Sequence, residues 1–435
     1  MSSGSCLAAG VRCSGRRPRW AASAGDASMG CWRTWHDGAV ADGRRDSGPR
    51  VSWFELFYDL VVVALVLNGS GLFEEAPSFG TGAWLAATLL VLLVLWLSTT
   101  LTFNTTHREW TLRRILTLVQ MLALVVASLS ISRDSRLGDR TGLIALAVAL
   151  ASIAVLYWVK RAEPRTQRSS TVMAYSMGAA ALVCVGGAIA SDVAGSWGVI
   201  LVTATLGLAL TLVVVPLLAV LLRELVATGQ LDHDHLSERM GQLVLIALGE
   251  SFAALVITLG AADSIPNPVF LVLAFVVIYA IWSIYFRTVQ PSGLPLGIGR
   301  TRAWIAAHYV LILGALGTAD VFSALTEVSM AEGLAGLAAI QRPLPLLYVV
   351  VAFALLATLA GTAGRPFLRV HIVAALVLLG TIGAGLIGFT GQVVVMSLIA
   401  GAVVVGDAMA IAVIARSNPD NRKRARRDSN PQPTG

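Results

Sequence analysis

VSWFELFYDLVVVALVL, residues Val51–Leu67, decides how this chain is read. From Leu60 onward it is an unbroken run of Leu, Val and Ala, the pattern of a membrane-spanning helix. Yet Glu55 and Asp59 stand at its head, one helical turn apart. Residues at i and i+4 share a helix face, so the two carboxylates point the same way. A lipid-facing Asp near the bilayer centre costs about 2.5–3.5 kcal/mol on insertion scales, and less near the interface. Two readings avoid that cost. Both groups face a polar vestibule inside a bundle, or they form an interfacial anchor that touches headgroup water or pairs with Arg113 and Arg114. In the vestibule, two like charges on one face would repel and so favour proton uptake.

The whole chain follows this pattern. Of 435 residues, 56% are hydrophobic and 13% charged, and mean hydropathy is +0.76. A soluble domain carries about 25% charged residues. The apolar runs are too long and too continuous for a membrane β-barrel, whose strands alternate in short segments. The expected fold is all-α, a polytopic transmembrane helical bundle. Twelve spans are expected near 53–72, 82–103, 112–131, 141–159, 171–190, 195–222, 240–260, 267–286, 303–323, 344–363, 370–389 and 392–415. Residues 51–415 then form the transmembrane domain. Residues 1–50 and 416–435 read as basic, disordered cytoplasmic tails. The first tail has no apolar run of signal-peptide length. It also admits a transit peptide, or a start of translation nearer Met29.

Charge tests the count. With the N-terminus in the cytoplasm, 28 of the 32 Lys and Arg fall on the cytoplasmic side. The four outside are Arg133, Arg136, Arg140 and Arg342. Three of those lie in SRDSRLGDR, where two Asp offset them. Both termini are therefore expected in the cytoplasm, with the chain in the plasma membrane. The net charge of +7 tracks this topology and does not indicate nucleic acid. A shift of 183 residues sets Glu55 on Glu238, Leu60 on Leu243, Val61 on Val244, Ala64 on Ala247 and Leu65 on Leu248. This suggests a 6+6 parallel repeat about an axis along the membrane normal.

Polar residues inside apolar runs are candidate site residues. The second helix ends in STTLTFNTTHREW, which brings Asn104 and His107 to the depth of Asp59. DHDHLSERMGQLVLIALGESFAAL places His235, Glu238 and Arg239 at the start of the seventh helix and Glu250 about ten residues deeper. Gly249 and Ser251 beside Glu250 allow a neighbouring helix to approach. Asp407 lies in LIAGAVVVGDAMAIAVI, next to the small residues Ala402, Gly406 and Ala410. His308 reads as a proton relay or a bonded bundle residue, and His371 as interfacial. The candidate proton or substrate site is thus Glu55, Asp59, Asn104, Glu238, Arg239, Glu250, His308 and Asp407. For Glu250 the alternative is a protonated carboxyl bonded to a neighbouring carbonyl or Ser.

Catalytic signatures are missing: no phosphate loop, no H-E-x-x-H and no G-x-S-x-G occurs. Cys6, Cys13, Cys31 and Cys184 lack metal-ligand spacing, and His233 with His235 reads as a short solvated loop. No enzyme, metal or cofactor is expected. The expected partners are the lipid bilayer and a small solute or ion.

Three segments carry a resemblance. WFELFYDLVVVALV resembles the E-L-F-F-D-L-V-F-V-like opening helix of the bacterial low temperature requirement protein A family. HLSERMGQLVLIALGES is similar to that family's H-x-x-E-R…L-G-E-S segment, and FNTTHREWTLRRILTLVQML to its Asn-containing loop and following Arg and Leu/Met-rich helix. The resemblance runs from about residue 51 to 415. It marks Glu55, Asp59, Asn104, Arg114, His235, Glu238, Arg239, Gly249 and Glu250. Two departures stand out. LNGSGLF lacks the His that often follows the first motif, and Arg287 follows Tyr285-Phe286 where an acidic residue is common. The family name reports a growth phenotype. The residues therefore leave open a secondary transporter or ion/proton-coupled permease and a non-transporting membrane factor that supports the envelope or growth in cold.

Overall fold

The computed structural model describes residues 52–62, 65, 79–105, 111–130, 140–191, 198–261, 268–327, 344–360 and 365–386, with 398–399, 402–403, 405–407 and 409. The tails and His107 lie outside these residues. No strand occurs among the described residues.

The helices follow the apolar runs. The first, α1, covers 53–62. Next come α2 (Phe79–Thr105), α3 (Thr111–Leu129), α4 (Arg140–Lys160) and α5 (Gln167–Ser191). The sixth, α6, starts as Gly198–Pro216 and continues through a π-helical turn, Leu217–Leu221, to Leu222–Ala227. The chain goes on with α7 (His233–Ala261), α8 (Pro268–Ile284, extended by the π turn Tyr285–Val289) and α9 (Ile298–Glu327). It ends with α10 (Leu344–Ala360), α11 (Arg365–Leu386) and α12, helical at the described positions of 398–409. Seven helices among the described residues are long and apolar enough to cross a membrane: Leu85–Thr105, Thr111–Leu129, Arg140–Lys160, Gln167–Ser191, Ile200–Ala227, His233–Ile257 and Phe367–Ala384. The chain is a multi-pass helical membrane protein.

Helix α3 shows which side of each helix meets lipid. Its polar Thr117, Gln120 and Ser128 are buried. Its Leu118, Leu122 and Leu129 are exposed. In water this would be inside out. In hydrocarbon it is the stable arrangement, because apolar side chains lose nothing there and polar ones need partners. Neighbours in sequence pack together: α3 on α4, α4 on α5, α5 on α6, and later α9 on α10 and α10 on α11. Helix α7 also packs on α9. One apolar cluster, from Tyr58 and Trp96 to Trp304 and Phe353, runs through the bundle.

Two local breaks position the centre of the molecule. Pro216 has no backbone N–H to continue the α-helical ladder, and the π turn follows it directly. The Leu218 carbonyl in that turn accepts a bond from Arg302 Nε of α9 at 3.0 Å. Helix α6 then stops at Gly229, whose φ of 65° lies in the left-handed region that favours glycine. Residues 228–232 alone separate α6 from α7, so α7 starts at His233 rather than near 240. The DHDH stretch is therefore the capped start of a helix and not a solvated loop. Asp232 Oδ1 accepts the His235 backbone N–H at 3.0 Å, as an N-cap carboxylate does.

Candidate functional site

Two capped helix starts build the site. Ser52 Oγ accepts the Glu55 N–H at 3.3 Å and donates to Glu55 Oε1 at 3.2 Å, fixing the first turn of α1. Asp232 does the equivalent for α7. The third residue of each helix then meets the other. His235 Nε2 lies 2.9 Å from Glu55 Oε2. One turn deeper, Arg239 Nη2 donates to Asp59 Oδ1 at 2.8 Å. Both pairs are 180 residues apart in sequence and ascend in the same order, so α1 and α7 run parallel here.

Arg239 also joins the two acids, its Nη1 lying 3.6 Å from Glu55 Oε2. The expected repulsion between the carboxylates is thus answered by a cation set between them. Asp59 and Arg239 are 0% exposed and Glu55 is 7% exposed. Trp96 of α2, which sequence reasoning passed over, donates its indole N–H to Asp59 Oδ1 at 2.6 Å. Its ring lies 5.7 Å from the Arg239 guanidinium. Asp59 Oδ2 and Arg239 Nε are buried without a hydrogen-bond partner. Beside this cluster, Gln120 Nε2 donates to Tyr58 Oη at 2.7 Å and to Thr99 Oγ1 at 2.9 Å, tying α1, α2 and α3 together.

Asn104 meets His235 rather than Asp59. Its Nδ2 donates to the Asp232 carbonyl at 2.7 Å and its Oδ1 accepts the Asp232 N–H at 2.9 Å. Nδ2 also lies 3.4 Å from His235 Nδ1. Arg113 stacks over Phe103, 4.8 Å from the ring centroid, on the same side of the bundle.

The remaining candidates are dispersed. Glu238 is exposed and faces away from Arg239. Glu250 is buried about 16 Å further along α7, at about 1.5 Å per residue. It lines a cavity of ≈ 20 Å³ with Val62, Leu89, Leu243, Ala247 and Tyr309, which is room for one water and little else. His308 is a bonded bundle residue. Its Nδ1 donates to the Trp304 carbonyl at 2.8 Å, and Tyr285 Oη lies 2.9 Å from Nε2. His371, expected near the interface, is packed inside the bundle. It is fully buried, with Nε2 at 2.8 Å from Asp407 Oδ2 and Nδ1 at 3.0 Å from the Val350 carbonyl. It stacks on Phe367 with centroids 4.4 Å apart. A Cβ on Gly406 would sit 2.8 Å from Val370, so glycine is what lets Asp407 reach His371. The signal for His371 was present in its type alone: an imidazole within an apolar helix needs two partners.

The two segments that resemble family signatures, HLSER and WFELFYD, thus pair across the bundle. The family model of the bacterial low temperature requirement A protein (LtrA) matches residues 50–413. The chain belongs to the LtrA family. No curated protein and no solved structure matches it. Within this LtrA chain, the match takes in α1 to α12 and leaves out both basic tails. No group of His, Cys, Asp and Glu suited to a metal ion occurs among the described residues. A larger cavity of ≈ 260 Å³ lies elsewhere, among α2, α3, α4 and α6, and its lining has no ionisable side chain.

Proposed function

We propose that this LtrA chain is a secondary transporter, an ion- or proton-coupled permease of the plasma membrane. It crosses twelve times with both termini in the cytoplasm, acts on a small solute or ion, and carries out no catalysis. The observation that carries this reading is the double pair Glu55–His235 and Asp59–Arg239, buried between the helices that open the two halves. Buried ion pairs recover little net stability after desolvation, and apolar side chains of similar volume would hold two helices as well. A titratable pair between two halves suits a machine in which one half rocks against the other and the pair exchanges partners.

The 6+6 repeat is supported by helix neighbours. Packing of α3 on α4 and α4 on α5 corresponds to α9 on α10 and α10 on α11. The Tyr58–Gln120 bond joins α1 to α3, and the bond from Ser251 Oγ to the Ala315 carbonyl joins α7 to α9. Parallel helices related by a two-fold along the membrane normal face each other at equivalent residues. The contact register of 180 then replaces the shift of 183, which sets buried Glu55 against exposed Glu238.

One observation favours the alternative, a non-transporting membrane factor: Glu250 sits in a small apolar cavity and not in a polar channel. Proteoliposomes with and without a pH gradient separate the two. The parent should move a solute, ion or proton in response to the gradient. Asp59→Asn should remove that flux while inserting normally, and Glu55→Gln should act more weakly. If Asp59→Asn transports as the parent does, the cluster is only an anchor; if the parent moves nothing in response to the gradient, the transporter reading fails.

A further inference from the structure

We infer that His235 is a proton-binding site whose second proton opens a clamp between the end of α2 and the start of α7. The inference concerns regulation of the site proposed above and takes its purpose from that reading, but it stands on donor and acceptor inventory.

The Asp232 peptide fixes the Asn104 amide. A backbone N–H only donates and a carbonyl only accepts. Asn104 Oδ1 must therefore face the Asp232 N–H, and Nδ2 the Asp232 carbonyl, as their distances of 2.9 and 2.7 Å require. This leaves the second Nδ2 hydrogen directed at His235 Nδ1, 3.4 Å away. Nδ1 must then present its lone pair. The ring proton sits on Nε2 and is donated to Glu55 Oε2 at 2.9 Å. A second proton, on Nδ1, would set N–H against N–H. Turning the amide over would cure that contact but would oppose like groups at both Asp232 bonds. His235 thus cannot be doubly protonated while Asn104 holds Asp232.

Charged groups from four helices surround the ring. Glu55 faces the ring directly, with Asp59 and Arg239 one turn deeper. Arg113 of α3 also interacts electrostatically with Glu55. The Asp232 carboxylate is committed to the His235 backbone N–H. Lys160 of α4 is held by Thr105, next to Asn104. The clamp opposes a second proton, because Nδ1 faces the Asn104 amide donor. Uptake and clamp opening are one event, and the element released is the five-residue link between the halves.

The test uses the full chain in lipid nanodiscs with ¹⁵N-labelled histidine. The His235 ring is assigned through its own backbone amide, so this arm needs no variant. At high pH the ring should carry its proton on Nε2 only. As pH falls, Nδ1 should gain a proton, and exchange of the Asp232 amide should speed up by about tenfold over the same interval. Asp232→Asn keeps a cap that does not titrate, and should keep the step. His235→Gln should abolish it. Asn104→Asp keeps an acceptor for the Asp232 N–H but removes the donor that faces Nδ1, and should uncouple Asp232 exchange from the second proton. Four results overturn the inference: an Nδ1–H tautomer at high pH, no second proton while the protein stays folded, a second proton with Asp232 protection unchanged, or a step that persists in His235→Gln. Solute flux is measured separately. Flux without the step removes the clamp and leaves the transporter, and the step without flux does the reverse.

Discussion

Arg239→Met tests the buried cluster most directly. Methionine fills similar volume but removes the guanidinium. Asp59, 0% exposed, then keeps the Trp96 indole as its remaining donor at 2.6 Å, with Oδ2 already lacking a partner. Removing one partner of a buried pair costs about 3–5 kcal/mol, chiefly because the other charge stays behind in low dielectric. The Arg239 contact with the Trp96 ring adds about 0.5–2 kcal/mol. In the double variant Asp59→Asn/Arg239→Met no charge is stranded, and the loss should fall to about 1 kcal/mol. The single variant should therefore be less stable than the double by about 2–4 kcal/mol, a factor of roughly 30–1000 in the folded-to-unfolded ratio. Reversible unfolding by SDS in mixed micelles, followed by tryptophan fluorescence, gives both values and Asp59→Asn closes the cycle. If Arg239→Met is as stable as the double variant, Asp59 does not depend on Arg239 for its charge, and the account of the cluster is wrong.

Trp96→Phe keeps the packed ring but removes the N–H to Asp59, and the same titration should show a loss of about 1.5–3 kcal/mol that shrinks when Asp59 is already Asn. Gly406→Leu forces a side chain into Val370, and should cost about 1–3 kcal/mol. It should also weaken the His371–Asp407 bond, read as a loss of coupling between Asp407→Asn and His371→Gln in a double-mutant cycle. Reporter domains fused at Gly80 and at Gly435 should report opposite sides of the membrane. The same side for both would refute the twelve-span topology.

The amino-acid sequence by itself determined that the chain is a helical membrane protein, because the hydrocarbon core accepts only backbones that bond internally and side chains that are apolar. Long Leu, Val and Ala runs such as the one after Asp59 leave no other solution. It also determined the family, since ELFYDLV and HLSER stand as local strings. Which polar residues would meet was decided by tertiary structure alone. Glu55 and His235 lie 180 residues apart, and nothing local in either helix says that α1 and α7 are neighbours in parallel register. The same holds for Trp96. An indole in an apolar run reads as core or interface until a carboxylate from another helix arrives at its N–H. Glu238 shows the converse. Its type and motif matched those of Arg239 beside it, but adjacent residues on a helix point about 100° apart, so packing buried one and exposed the other. Periodicity tells which residues share a face. Which face meets which partner depends on contacts between distant segments, and those exist only in the folded bundle.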